Sequence, residues 1–167
     1  ANPYRGVPLA VRADGMRERI GQLRELGIEL DTRFAALWDA ALGAPTSGRA
    51  TWLHGDPHPR NAIGRDGRLV AVLDWGDVTA GDPAADLASL WMVAHDGAER
   101  RAALQTYLAR QQAGFAADEL DALVLRAKGW ALVYGVVHLA SGLVNHPAHA
   151  AIGRATLRNL GADLVPG

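Results

Sequence analysis

Cysteine is absent from the 167 residues, and lysine occurs only at Lys128. Without cysteine the chain has no disulfide framework and no thiolate metal site. No apolar run reaches the roughly 20 residues of a membrane span. The longest runs from Trp130 to Val144 and is interrupted by His138 and Ser141, so it predicts a buried helix. No signal-peptide pattern is visible, and we expect a cytoplasmic protein that does not bind a membrane.

Several functional motifs are also missing. There is no Gly-x-Ser-x-Gly and no His-Glu-x-x-His, so the corresponding hydrolases and metalloproteases have no support. There is no Gly-x-Gly-x-x-Gly and no Gly-Lys-Ser/Thr, so a phosphate-cradling loop is not among these residues. The net charge of −1 implies no broad basic surface for nucleic acid.

The composition that is present is that of a globular protein. Apolar residues make up 49% and charged residues 21% of the chain, which suits an ordinary core. The length fits one domain or one lobe of a larger protein. We predict a single domain over residues 1–167, with a catalytic core at 51–95 and a helical subdomain at 1–44 and 96–167.

Negative charge is concentrated in one segment. Between His54 and Asp96 there are seven acids and three bases, a local charge of −4. The acids are Asp56, Asp66, Asp74, Asp77, Asp82, Asp86 and Asp96. Such a segment suits metal ions or a cationic substrate, and the alternative is a set of helix caps and turn residues, which fits Asp66 and Asp82 well.

The most informative stretch is His54-Gly55-Asp56-Pro57-His58-Pro59-Arg60-Asn61, followed by Leu73-Asp74-Trp75-Gly76-Asp77. Asp56 and Asn61 have the spacing of a kinase catalytic loop, in which an Asp accepts the substrate hydroxyl proton and an Asn holds magnesium. Asp74-Trp75-Gly76 then corresponds to the second metal-binding element.

A hairpin is predicted between these two motifs. Asp66-Gly67 is a two-residue turn signal between strands at 61–64 and 69–73. Asn61 and Asp74 stand at the far ends of its arms, so two oxygen ligands would converge where a hard cation could bind. A short strand at 51–53 leads into the catalytic loop, and Pro57 and Pro59 keep that loop from becoming helix.

Apolar periodicity predicts that the rest is mainly helical. The predicted helices are Asp14–Leu26, Asp31–Leu42, one from the Asp82 cap to about His95, Glu99–Gln112, Asp118–Val144 and Ala148–Leu160. Asp14 would cap the first helix and Gly27 would end it. Leu26 and Leu42 are expected on the buried faces of the first two helices. The fold class is therefore α+β, predominantly α-helical, with a small β-hairpin carrying the catalytic and metal-binding loops.

These motifs, with Gly81-Asp82-Pro83-Ala84-Ala85-Asp86-Leu87-Ala88 after them, resemble a known family. The chain looks like the C-terminal lobe of the aminoglycoside phosphotransferase and choline kinase-like family, nearest to its bacterial aminoglycoside phosphotransferase branch. The motifs span residues 52–91, and a weaker helical likeness extends over nearly the whole chain, including Arg5 to Leu9. Pro57 stands where Leu is common in the family and Arg60 where Gly is common, but neither removes a catalytic group.

The resemblance implies the C-terminal lobe of a protein-kinase-like fold and transfer of a phosphoryl group from ATP (or GTP) to a hydroxyl of a small molecule. Asp56 would be the catalytic base. Asn61 and Asp74 would bind the cofactor by holding Mg²⁺ against the nucleotide phosphates. Asp86 would brace the catalytic loop by accepting backbone N–H bonds, and its rival role is a local surface charge.

The family's N-terminal lobe supplies the nucleotide-covering loop and a phosphate-binding lysine. Neither occurs here, and Lys128 lies in an apolar helical stretch, where a snorkelling lysine is expected. The resemblance therefore implies a C-terminal lobe whose missing N-terminal lobe is its partner. We expect weak nucleotide binding and little or no turnover by this lobe alone.

Other functions and acceptors stay open. The chain would otherwise be a non-catalytic binding module, or half of a site that a partner chain completes, and the latter predicts a large exposed apolar face. The acceptor would be an aminoglycoside, another antibiotic, an amino alcohol, or a sugar or amino acid derivative.

Several side chains have competing interpretations. His54 is expected to pack beneath the catalytic loop, and His58 to face the phosphates or solvent. A zinc site at His54 and His58 is disfavoured because the prolines prevent a helix and no third ligand is obvious.

Asp77 is the candidate contact for a cationic substrate, whereas Asp96 and Glu99 are expected to be solvated. His138 is expected in the core, and His146 and His149 at the surface. Trp91 and Trp130 are expected in the core rather than lining a pocket.

Overall fold

The computed structural model describes residues 4–46, 48–111 and 116–164. Within the described residues, helices α1 to α7 pack around a shared hydrophobic core. Two small antiparallel sheets, each of two strands, accompany the helices. The helices are α1 (Ala13–Glu25), α2 (Arg33–Gly43), α3 (Ala84–Leu87), α4 (Leu90–Val93), α5 (Gly97–Gln111), α6 (Ala117–Asn145) and α7 (Pro147–Ala162). The strands are β1 (Thr51–Leu53), β2 (Ala62–Arg65), β3 (Arg68–Val72) and β4 (Thr79–Gly81).

Helix α6 is the centre of the core, and it packs against α1, α2, α3 and α7. Its length and composition would suffice to cross a membrane, but 67% of its most apolar stretch is buried inside the protein. A helix that is apolar on most sides and covered by other helices is a core helix. The run at 130–144 is therefore a buried helix, as predicted.

Glycines allow α6 and α7 to approach each other closely. A Cβ atom on Gly153 would lie 2.7 Å from the carbonyl oxygen of Gly135, and one on Gly135 would lie 2.8 Å from a methyl of Leu157. A Cβ on Gly142 would collide with the backbone of Ala150. The helix pair thus depends on small residues at three levels of its interface.

Helix α1 confirms one predicted terminus and contradicts the other. Gly27 adopts φ 72°, and the N–H of Ile28 donates to the carbonyl of Leu23 at 2.9 Å, which is a glycine-based helix end. Asp14 makes no capping bond and instead pairs with Arg17 at 2.8 Å. Leu26 was wrongly predicted as buried, since it is 57% exposed in the terminal turn.

Helix α2 begins two residues later than predicted. The side chain of Asp31 accepts a bond from the N–H of Arg33 at 2.9 Å and so lies ahead of the helix. Phe34 and Leu37 are buried, but Leu42 is 38% exposed, contrary to prediction. Ala41, its neighbour in the last turn of α2, is buried against α6, so Leu42 lies at the edge of the buried face.

The hairpin of β2 and β3 is confirmed. Asp66 and Gly67 adopt φ values of 51° and 71°, which are those of a type I′ turn, and Arg65 pairs with Arg68 across it. The second sheet was not predicted. It joins β1 to β4 in antiparallel register, with Trp52 opposite Ala80.

The single helix predicted from Asp82 to about His95 is two short helices, α3 and α4. Asp82 does cap the start, because its side chain accepts from the N–H of Ala84 at 3.1 Å. Trp91 in α4 is held by α7: Asn159 donates to its carbonyl at 3.0 Å, and its indole N–H donates to Asp163 at 2.9 Å. These bonds tie α4 to the end of α7, and two turn residues, Ala88 and Ser89, separate α4 from α3.

Both core tryptophans are confirmed, since Trp91 and Trp130 are each 2% exposed. Helix α5 starts at Gly97, and its predicted end at Gln112 lies outside the described residues. The division into a catalytic core at 51–95 and flanking helical parts stays a prediction.

Candidate active site

The catalytic loop follows β1 and is held from below by Asp86 of α3. One oxygen of Asp86 accepts from the N–H of His54 at 2.6 Å, and the other accepts from the N–H of Gly55 at 3.1 Å. Hydrogen bonds to a carboxylate are stronger than those between neutral groups. These two bonds are the contacts that the predicted bracing role of Asp86 requires.

His54 is buried beneath the loop and uses both ring nitrogens. Its Nδ1 accepts from the N–H of Asp56 at 3.3 Å, so the ring proton is on Nε2, which donates to the carbonyl of Leu73 at 2.8 Å. Trp75 packs edge-on against the ring, with centroids 4.8 Å apart. His54 therefore links the catalytic loop to the Asp74 element, and neither nitrogen is left for a metal.

Gly55 is required where the loop passes the Asp74 element. Its φ is 84°, and a Cβ atom there would collide with the carbonyl oxygen of Asp77. Only glycine satisfies both conditions without strain. This contact fixes the distance between the two motifs at the base of the site.

Asn61 joins the other end of the loop to the hairpin. Its side-chain N–H donates to the carbonyl of Asp56 at 3.0 Å, and its own carbonyl accepts from the N–H of Leu73 at 2.8 Å. Asp74 follows Leu73 directly. Its side chain is exposed, and its backbone adopts the left-handed conformation with φ 58°. The hairpin thus brings Asn61 beside the Asp74 element, as its register requires.

The donor set fits magnesium. The amide nitrogen of Asn61 is turned to the Asp56 carbonyl, which directs the amide oxygen away from the loop. Oδ1 of Asp74 lies close to Gly76, since a Cβ there would be 3.4 Å from it. An amide oxygen and a carboxylate are hard ligands of the kind that Mg²⁺ prefers. The roles of these residues stay predictions.

Sequence reasoning missed Arg5 as a site residue. Its Nη2 lies 2.6 Å from Oδ1 of Asp56, and its Nε donates to Oδ2 of Asp77 at 2.8 Å. The predicted substrate contact Asp77 therefore already pairs with a cation of this chain. The signal in the sequence was the local charge of −4, which called for a balancing cation from elsewhere.

Three of the histidines form a row that begins at the catalytic loop. The ring of His58 lies 5.7 Å from that of His138 in α6, which lies 5.3 Å from that of His149 in α7. His58 also places Nε2 at 3.4 Å from Oδ2 of Asp56.

The placement of two of these histidines differs from prediction. His138 was expected in the core and lies at its edge, where burial and the neighbouring imidazoles lower its pKa to about 4. His149 was expected at the surface, but it is partly buried and contacts Arg60 at 3.1 Å. Helix packing brought these rings together, which no local pattern indicates.

Two further acids of the segment have structural partners. Asp82 pairs with Arg126 at 2.6 Å. Asp96 accepts from the N–H groups of Ala98 and Glu99 at 2.8 and 3.0 Å, and these bonds lower its pKa. Asp96 is therefore a helix cap, and much of the local charge serves the fold.

A continuous stretch of the chain around the site exposes large apolar side chains. Trp52 is 79% exposed, Leu69 66% and Trp75 59%. Ile63, Val70, Val72, Leu73 and Val78 are also exposed. Monomeric proteins rarely expose such concentrations of apolar surface unless another surface covers them. We refer to these eight side chains as the apolar site face.

Comparison with known proteins identifies the class. The phosphotransferase enzyme family (APH) matches residues 5–123, which is more than half of the chain. The chain therefore belongs to this family. Its fold, α+β and predominantly helical with a small hairpin carrying both motifs, is confirmed as that of a partial lobe.

Solved structures of one aminoglycoside phosphotransferase, a thermostable mutant of APH(4)-Ia, are similar to this chain. Its ternary complex with AMP-PNP and hygromycin B has 20% identity and a TM-score of 0.39, covering 82% of this chain and 47% of that one. Its apo form has 18% identity and a TM-score of 0.39, covering 89% and 53%. This chain thus spans about half the length of those structures. No curated protein sequence matches it significantly.

Proposed function

We propose that this chain is the catalytic C-terminal lobe of a kinase that transfers a phosphoryl group from ATP or GTP to a hydroxyl of a small molecule. One observation carries the proposal. The Asn61 side chain is hydrogen-bonded to the Asp56 backbone. The Asn61 backbone is hydrogen-bonded to the backbone of Leu73, which precedes Asp74. A base and two oxygen ligands are thereby held on one framework.

The chemistry follows from this framework. Asp56 accepts the proton of the acceptor hydroxyl as the oxygen forms its bond to the γ-phosphorus and the bond to the nucleoside diphosphate breaks. Bound at Asn61 and Asp74, Mg²⁺ would neutralise charge on the phosphates. Positioning is the main task of the protein in such a reaction, and the Asp86 and Gly55 contacts supply it at the loop.

We propose that an N-terminal lobe completes the nucleotide site and covers the apolar site face. The residues of this face surround both motifs, which is where a nucleotide would be enclosed. The lobe alone would bind nucleotide weakly and turn over poorly. The same face favours one alternative, a site completed by a separate partner chain, and native mass measured on the protein expressed from its whole reading frame distinguishes the two.

We propose a small hydroxylated acceptor, with aminoglycosides among the candidates beside other antibiotics, amino alcohols, and sugar or amino acid derivatives. We also keep the proposal of a cytoplasmic protein that acts on neither nucleic acid nor membranes.

Phosphoryl transfer to a panel of these acceptors tests the function, in the protein from its whole reading frame and in this chain. Asp56→Asn should lower the rate of phosphoryl transfer by about 10²–10⁴-fold, which is the usual contribution of a general base. Asp66→Asn is the matched control, because Asp66 is an exposed turn residue that contacts none of the site residues described above. Full transfer by Asp56→Asn would refute the assignment, and full turnover by this chain alone would refute the need for a second lobe.

A further inference from the structure

The guanidinium of Arg5 joins two carboxylates that the sequence assigned to different tasks. Its Nη2 reaches Asp56 at 2.6 Å, and its Nε reaches Asp77 at 2.8 Å. Two nitrogens of one planar group fix the two carboxylates relative to each other, which a lysine could not do. All three side chains are partly buried, at 21%, 30% and 28% exposed, so solvent screens these pairs only in part.

The backbone that carries Arg5 is also fixed. Gly6 adopts φ 65°, and a Cβ there would collide with the carbonyl of Ala80 and lie 2.8 Å from Oγ1 of Thr79. From the other side, a Cβ on Gly81 would lie 2.7 Å from the Cα of Gly6. The segment lies directly on β4, and the Gly55 contact locks Asp77 to the catalytic loop. Arg5 is therefore built into the site and is not a surface side chain that happens to reach it.

We propose, on the basis of the function proposed above, that Arg5 is a positioning residue for the base Asp56 and that Asp77 anchors Arg5 instead of binding the acceptor. Arg5 occupies Oδ1 of Asp56. The other oxygen, Oδ2, lies 3.4 Å from Nε2 of His58 and is the atom that takes the hydroxyl proton.

The two carboxylates have different tasks in this arrangement. When Oδ2 takes the proton, Asp56 loses its charge and its attraction for Arg5 weakens. Asp77 stays ionised and keeps the guanidinium in place until the proton leaves. Burial opposes the charge on Arg5, but the Asp77 hydrogen bond and the charge of Asp56 outweigh it and raise the pKa of Arg5, so the bridge stays cationic.

The first test uses this chain and needs no turnover. NMR would follow the Arg5 Nε–H exchange with water and the Asp56 carboxyl carbon signal. Asp77→Asn should speed the exchange and shift the Asp56 signal, because Arg5 carries the change between them. Asp14→Asn is the control, since it removes the same charge from an exposed side chain that pairs with Arg17 at 2.8 Å. An Asp56 signal that Asp77→Asn leaves in place would overturn the proposal.

The second test uses the form of the protein that transfers phosphate. Arg5→Gln and Asp77→Asn should each lower kcat by about tenfold to a hundredfold, part of what a general base contributes. The acceptor KM should stay within about twofold, because ground-state binding is unchanged. Arg5→Lys should recover only part of kcat, and the double variant should be little worse than Arg5→Gln.

A different kinetic pattern would contradict the proposal. If Asp77→Asn raised the KM of a cationic acceptor and left kcat unchanged, Asp77 would be an acceptor contact. If no variant or wild-type protein transferred phosphate, the proposed function would fail, and the NMR result would still decide whether Arg5 couples the two carboxylates.

Discussion

The contact between Asp86 and the catalytic loop yields a quantitative prediction. Asp86→Asn keeps the shape of the side chain but replaces one acceptor oxygen with an NH₂ group. One of the two backbone donors, at His54 or Gly55, then faces another donor. His54 and Gly55 are both buried, so water cannot replace the lost bond.

The magnitude follows from the kind of bond that is lost. A hydrogen bond to a charged group contributes about 1.5–3 kcal/mol, and a buried donor left unpaired costs a similar amount. We expect Asp86→Asn to lower the free energy of unfolding by about 2–3 kcal/mol. Urea unfolding would measure the loss, and hydrogen exchange at the amides of residues 54 and 55 would locate it in the loop.

Asp96 provides a matched control. It also accepts two backbone N–H bonds, but it is exposed at the start of α5. Asn and Asp are about equally good at such a cap, so Asp96→Asn should lower stability much less than Asp86→Asn. Equal effects of the two substitutions would refute the reasoning, because burial of the loop donors would then not matter.

Two further predictions concern the helical core. Gly153→Ala should destabilise the protein by about 1–3 kcal/mol through overpacking against α6. Gly21→Ala in α1, where a Cβ would have nothing within 4 Å, should stabilise it by up to about 1 kcal/mol. Thermal melts of both variants would measure these changes. Burial favours a higher pKa for Asp163, but Arg100 and Trp91 outweigh this effect and hold the pKa below 3.8. The ionised Asp163 should therefore contribute fully to stability above this value, and the contribution should be lost as the pH falls through the lowered pKa. Acid titrations of the stability of Asp163→Asn should lack that step, and an acid profile identical to that of the wild type would contradict the prediction.

Local signals explain why much of the fold was predictable. The hairpin turn needs two residues with positive φ, and Asp66-Gly67 is a pair that adopts them readily. Gly27 ends α1 for the same conformational reason. The long helix α6 has an apolar composition that only a central position can bury. Each of these features depends on neighbours along the chain.

The features that escaped prediction depend on contacts distant in sequence. Strand β4 has three residues, and its pairing with β1 joins positions 26 to 30 apart. Helix α4 is tied to the end of α7 by the bonds that Trp91 makes with Asn159 and Asp163. Leu26 and Leu42 follow the helical apolar pattern but are exposed near the ends of α1 and α2. Periodicity identifies a face, and only tertiary packing determines how far along the helix that face is buried.

The candidate site shows the same division within a few ångströms. Asp56, Asn61 and Asp74 could be proposed from their motifs and spacing, because a loop and a hairpin of fixed length connect them, and their roles stay predictions. Arg5 is separated from Asp56 by the whole of α1 and α2, and it reaches the site only because Gly6 fits against β4.

Charge links the two parts of the site. Asp56 and Asp77 are partly buried within 3 Å of Arg5, and without that cation the two acids would lie together at a site that must also approach nucleotide phosphates. Like charges at such a site raise the free energy of every anionic state. Under the proposed function, a cation between the acids would serve the approach of the nucleotide as well as the geometry of the base.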